Sequence, residues 1–167
     1  TESALSDSDP APNRFYGWLA LAALLILLDQ ASKQWIIQTM AFGDGFEVTS
    51  FFNIVRVHNH GAAFSFLAGE DGWQRWFLAG LAVLVSLGLI FWLSKLKAKP
   101  TFEVIGLNLI LAGAIGNLID RVLFGRVTDF LDFYYASWHY AIFNFADVAI
   151  ALGAVMLILY EFFLKPK

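Results

Sequence analysis

WFLAGLAVLVSLGLIFWLS, residues 76–94, carries no charged side chain. Crossing the hydrocarbon core of a bilayer takes about 20 mostly apolar helical residues, so this stretch is long enough by itself. Three more runs follow the same pattern. FYGWLALAALLILL (15–28) continues through Asp29 and Lys33 to about Met40, and VIGLNLILAGAIGNLI (104–119) reaches spanning length with its flanks. The last joins AIFNFA (141–146) through Asp147 to VAIALGAVMLILY (148–160). The expected fold class is an all-α integral membrane protein. Its four transmembrane helices are placed near 15–38, 74–94, 103–124 and 141–164, in a single domain over 15–164.

Composition agrees. The 167-residue chain is 59% hydrophobic and 15% charged, against the roughly 25% charged residues usual for soluble domains. A net charge of −3 offers no basic field for nucleic acid. With no cysteine, disulfides, thiolate metal sites and a cysteine nucleophile are excluded. The opening TESALSDSDPAPNR (1–14) is acidic and Pro/Ser-rich, unlike the basic start of a signal peptide; it is expected to be a disordered cytoplasmic tail.

Lys and Arg gather in cytoplasmic loops beside helix ends. Lys95, Lys97 and Lys99 share one short link, and Lys165 and Lys167 lie at the C-terminus. Both termini are therefore expected in the cytoplasm, with 41–73 and 125–140 on the opposite face. Asp29 and Lys33 then fall in the outer half of helix 1, Asn117, Asp120 and Arg121 near the outer end of helix 3, and Asn144 and Asp147 in the first turns of helix 4. Polar groups from three helices converge on one depth.

Spacing sharpens this convergence. Gly113, Asn117 and Asp120 share a helical face, as do Asn144 and Asp147, while Ala112 and Gly116 form a small-xxx-small pair suited to close helix packing. Asp29 and Lys33 stand four apart, acid first, the favoured order for an intrahelical ion pair. In 41–72 the partly alternating β-branched and aromatic residues of 47–57 predict a short strand or hairpin, and GAAFSFLAG (61–69) is apolar but too short to span.

Ionisable residues inside a membrane are costly and mark function. Asp147 calls for a partner from beyond helix 3, where GRVTDF (125–130) supplies Asp129 and FLDF supplies Asp132; spacing alone does not separate them. Two carboxylates a few ångströms apart share a proton, so one can activate water while the other donates to a carbonyl oxygen. A proton or ion relay through Asp29, Lys33, Asp120 and Asp147 is the rival, and a scaffold binding partner helices is a second. The chain has neither an H-E-x-x-H zinc motif nor a G-x-S-x-G elbow. His58, His60 and His139 read as interfacial polar residues, and no metal or cofactor is expected.

Five blocks in order carry a family resemblance: D-x-x-x-K (Asp29, Lys33), N-x-G-A-A-F (Asn59, Gly61 to Phe64), G-x-x-G-N-x-x-D-R (Gly113, Gly116, Asn117, Asp120, Arg121), G-x-V-x-D-F (Gly125, Val127, Asp129, Phe130) and F-N-x-A-D (Phe143, Asn144, Ala146, Asp147). The chain resembles the lipoprotein signal peptidases, the bacterial signal peptidase II family of aspartic peptidases. Ala112 stands where that family often has glycine, a small-for-small change. The resemblance implies a catalytic pair of Asp129 and Asp147, with Asn59, Gly61, Asn117, Arg121 and Asn144 supporting or binding substrate and Asp29, Lys33 and Asp120 structural. It implies a diacylglyceryl-modified prolipoprotein substrate, cut on the N-terminal side of its lipidated cysteine. It also implies an inner-membrane location among lipids, a site near the periplasmic face, and inhibition by globomycin-type cyclic peptides.

Overall fold

The structure, a computed structural model, describes residues 14–61, 72–96 and 101–165. Among the described residues, four helices are long and apolar enough to cross a membrane: α1 (Arg14–Thr39), α2 (Trp73–Lys95), α3 (Phe102–Phe124) and α4 (Phe145–Leu159), the last prolonged by a π-helical turn, Tyr160–Leu164. The 1–13 part of the acidic tail and most of GAAFSFLAG lie outside the described residues.

Helix α3 is the hub. Half of its most apolar window is buried inside the bundle, against 6% for α4 and 11% for α1. Small residues make this possible, because packing in lipid depends on close backbone approach. A Cβ on Gly153 would lie 2.5 Å from the Gly106 carbonyl oxygen, and one on Gly106 would lie 2.9 Å from that of Gly153. Higher on the same seam, a Cβ on Gly113 would run into the Ala146 carbonyl. Gly116, expected to admit a neighbouring backbone, instead admits the Asp29 carboxylate, whose Oδ2 is 2.5 Å from where a Cβ would stand. Toward the other end, Leu107, Leu111 and Val104 of α3 pack with Ala22 of α1 and Leu89 and Leu93 of α2.

Both ends of α3 are closed by side chains or turn geometry. Thr101 caps the start, its side chain accepting from the Val104 N–H, and Gly125 ends the helix at φ +72° with its N–H on the Arg121 carbonyl. From α2, Arg75 donates through Nε to the Arg121 carbonyl at 2.7 Å and through Nη2 to that of Val122 at 2.6 Å. The Val122 carbonyl is among the last four of the helix, which have no intrahelical partner, and that of Arg121 takes Arg75 as a second donor beside the Gly125 N–H.

At this end lies one antiparallel four-stranded sheet, ordered β1 (Gly45–Thr49), β2 (Phe52–Asn59), β3 (Val127–Tyr135) and β4 (Trp138–His139). The sequence reading anticipated a hairpin over 47–57 but not β3 or β4, and it started helix 4 near residue 141. In the structure, 141–144 is not helical. Phe143 bonds to β3, its carbonyl accepting from Phe130 and Leu131 N–H at 3.0 and 2.8 Å and its N–H donating to the Leu131 carbonyl at 3.1 Å. With its carbonyl taken by β3, Phe143 cannot accept the first intrahelical bond; the Asn144 carbonyl does so instead, from the Val148 N–H at 3.2 Å, and α4 starts at Phe145. This link carries Asn144 and the first turn of α4 to the strand that holds Asp129.

Candidate active site

Asn144 is the N-cap of α4. Its side-chain oxygen accepts from the Asp147 N–H at 3.1 Å, and the Asp147 carboxylate accepts from the Asn144 N–H at 3.2 Å, a reciprocal capping box. The expected shared face of these two residues is thus a helix-cap geometry. Asn144 Nδ2 is left to point away, donating to Asp129 Oδ1 at 2.6 Å and to Asn117 Oδ1 at 3.2 Å. Asn117 in turn donates through Nδ2 to Asp147 Oδ1 at 2.8 Å. Asp129 and Asp147, from a strand and a helix start, are held to one another by two asparagine amides.

Asn59, at the end of β2, donates to the second Asp129 oxygen at 3.1 Å and accepts from the Gly61 N–H at 2.8 Å. Gly61 sits at φ +113°, a left-handed value open to glycine, and a Cβ there would approach Leu78 to 2.9 Å. Arg121 reaches the Asn117 carbonyl oxygen at 3.4 Å, and its charge acts on Asp147, Asp129 and Asp120.

Asp129 is 2% exposed. Burial, and then the negative Asp147, push its carboxyl up from 3.8 to about 6 against the pull of the Asn144 and Asn59 amides. Asp147 is half-buried and opens on a cavity of about 380 Å³ lined by Tyr140, Phe143, Asp147, Val148, Ala151 and Leu152. One carboxylate is enclosed while the other faces an apolar groove along α4.

Asp132, the competitor for Asp129 by spacing, is drawn elsewhere. It lies opposite Asn53 in the ladder and accepts from Asn53 Nδ2 at 3.0 Å, with His139 Nδ1 at 2.9 Å. His139 is on β4 and stacks on Tyr134; His58 stacks on Phe42.

A second polar cluster adjoins the first. Lys33, 1% exposed, pairs with Asp29 at 2.8 Å and Asp120 at 3.1 Å and donates to Asn117 Oδ1 at 3.1 Å. Asp29 also accepts the Ala146 N–H at 3.0 Å, tying α1 to the start of α4. Gln30, which sequence reasoning passed over, donates to Asp120 at 2.9 Å and to the Gly116 carbonyl at 3.1 Å. Its signal was a polar neighbour to Asp29 directly after the uncharged run 15–28. Arg75 was also missed, because its partners are backbone carbonyls that no motif marks.

A family model described as signal peptidase (SPase) II matches residues 21–163. A lipoprotein signal peptidase of Hydrogenovibrio crunogenus is 52% identical over 150 residues, covering 90% of this chain and 86% of that one. The one from Tolumonas auensis is 50% identical over 150 residues, covering 89% and 92%. A solved structure described as a bacterial membrane enzyme superposes with a TM-score of 0.77 at 32% identity, covering 88% of this chain and 93% of that one. A second so described gives 0.76 at 33%, covering 87% of each. The match runs from α1 through the two clusters to the end of α4, and the chain belongs to the signal peptidase II family.

Proposed function

We propose that the protein is an aspartic endopeptidase that removes the signal peptide from diacylglyceryl-modified prolipoproteins, cutting on the N-terminal side of the lipidated cysteine. The observation that carries this reading is the Asn144 bridge between Asp129 and Asp147 at the mouth of the α4 groove. One aspartate takes a proton from water as the water attacks the scissile carbonyl, and the other, protonated, donates to the carbonyl oxygen. A carboxyl raised to about 6 supplies a proton donor in the physiological range. Asn59, Asn117 and Asn144 hold the carboxyls in place, and Arg121 balances negative charge that gathers on the pair and the substrate oxygen.

Placement supports the same chemistry. Basic residues at the end remote from the sheet, Lys95 and Lys165 among them, favour the cytoplasmic side. The protein is then an inner-membrane enzyme with both termini in the cytoplasm and its aspartates near the periplasmic face. There a diacylglyceryl group holds the substrate cysteine at headgroup depth. The exposed Tyr135, Trp138 and Tyr140 suit such an interface. A globomycin-type cyclic peptide would inhibit by occupying the groove beside Asp147.

The test uses purified protein with one prolipoprotein in two forms, modified and unmodified at the cysteine. The modified form should be cleaved to leave the lipidated cysteine as the new N-terminus, read by mass, and the unmodified form spared. Equal cleavage of both forms, or cleavage at another bond, would overturn the substrate assignment.

A further inference from the structure

Lys33 is buried, charged and absent from the chemistry just described. Its ammonium has three N–H donors and meets three acceptors: Asp29 Oδ2, Asp120 Oδ2 and Asn117 Oδ1. The first two supply its counter-charge. The third fixes the direction of an amide, because an ammonium can only donate. Asn117 Oδ1 accepts from Lys33 at 3.1 Å and from Asn144 Nδ2 at 3.2 Å, so its Nδ2 must face Asp147 Oδ1, at 2.8 Å. An Asn117 turned the other way would set its NH₂ against the ammonium and its oxygen against a carboxylate.

We infer that Lys33 is a positioning residue that acts through Asn117 to hold Asp147 as the resting carboxylate, making Asp147 the base and Asp129 the proton-carrying acid; this rests on the proposed peptidase reading. The second donor to Asp147 is the Asn144 N–H at the start of α4, where the helix end favours negative charge. Among the described residues, Asp129 has no helix end and no donor in direct contact with a cation; its donors there are the amides of Asn144 and Asn59, and Lys33 acts on it only from a distance. It is also the more deeply buried of the two, so the proton costs least there. The charged groups facing Asp147 are Arg121 from α3 and Asp129 from β3, with Lys33 from α1 behind Asn117 and Asp29 and Asp120 paired to it. Arg121 stays in every variant below, and Asn117→Leu keeps all of these charges, so a change in its profile reports the relay.

The experiment measures kcat/KM against pH on a diacylglyceryl-modified prolipoprotein. Lys33→Met alone leaves two buried carboxylates unpaired, so the charge set is removed together as Asp29→Asn/Lys33→Met/Asp120→Asn. Asn117→Leu deletes the donor with the ion cluster intact. In both, the acid limb, which reports ionisation of the base, should move up by about one pH unit or more, with kcat down about tenfold or more and KM within about twofold. A folded triple variant with the wild-type acid limb would overturn the relay, leaving Lys33 purely structural. Should the triple variant fail to fold, an unshifted limb in Asn117→Leu overturns it equally. Asp147→Asn, measured alongside, separates the two levels: if it cleaves normally the dyad itself falls, and if it is inactive while the limb stays put only the relay falls.

Discussion

Two pairs of aspartates sit at the same end of the bundle, and they are treated in opposite ways. Asp29 and Asp120 enclose an ammonium that satisfies both and is itself sealed from solvent. Among the described residues, Asp129 and Asp147 receive only amide donors in direct contact, and one of them opens on a groove. A paired charge in low dielectric is stable but inert, whereas carboxylates left with neutral donors retain a proton to exchange. The first cluster pins α1, α3 and α4 together; the second stands where those helices meet the sheet. Asn117 belongs to both.

Breaking the neutralised cluster should have the largest effect on stability. Lys33→Met strands two carboxylates, and removing one partner from a buried pair costs about 3–5 kcal/mol; the thermal midpoint in detergent should fall sharply. The reactive pair should show the reverse tendency. Its Asp129 holds a proton more tightly folded, at about 6, than unfolded, at 3.8. That contribution to stability is full below 3.8 and lost as pH rises through 6, amounting to about 3 kcal/mol by linkage. Midpoints between pH 4 and 7 should therefore fall less steeply in Asp129→Asn than in the wild type. An identical slope would mean that the carboxyl is not raised.

Away from both clusters, Gly153→Val drives side-chain atoms into the Gly106 carbonyl and Ile110, an overpacking expected to cost about 1–3 kcal/mol. Cleavage per folded molecule should change little, because the seam there is remote from the aspartates. The smallest effect is expected at the exposed Glu161–Lys165 pair, 2.9 Å apart. Exposed pairs of this kind contribute little, so Lys165→Ala should leave the thermal midpoint unchanged. A large fall there would undo the contrast between enclosed and open charge.

Much of this contrast was readable from residues. The four spans follow from run length alone, Gly125 marked the end of α3, and the i, i+4 spacing of Asp29 and Lys33 anticipated their ion pair. Other parts were hidden by distance in sequence. Lys33 and Asn117 are 84 positions apart, and no periodicity joins them. Strand β3 was missed because VTDFLDFYY is buried without alternation through its first six residues, so the alternating signature of a half-exposed strand is lacking. The start of α4 was misplaced because AIFN is as apolar as the helix it precedes, and only its pairing with β3 makes it extended. Asp129 and Asp132 were inseparable by spacing. Residues three apart on a strand point to opposite faces, so β3 itself sends Asp132 to Asn53 and Asp129 to Asn144, a separation out of reach while the strand was unforeseen.

The measurement that bears most directly on the division between the clusters is a comparison of initial cleavage rates for Asp129→Asn, Asp147→Asn and Asp132→Asn. It is made on equal amounts of folded protein with a diacylglyceryl-modified prolipoprotein. The account predicts losses of about 10⁴-fold for the first two, the scale expected when a general acid or base is removed. It predicts near-normal turnover for Asp132→Asn, whose carboxylate serves Asn53 and His139. Near-normal cleavage by Asp129→Asn or Asp147→Asn, or abolition by Asp132→Asn alone, would contradict it.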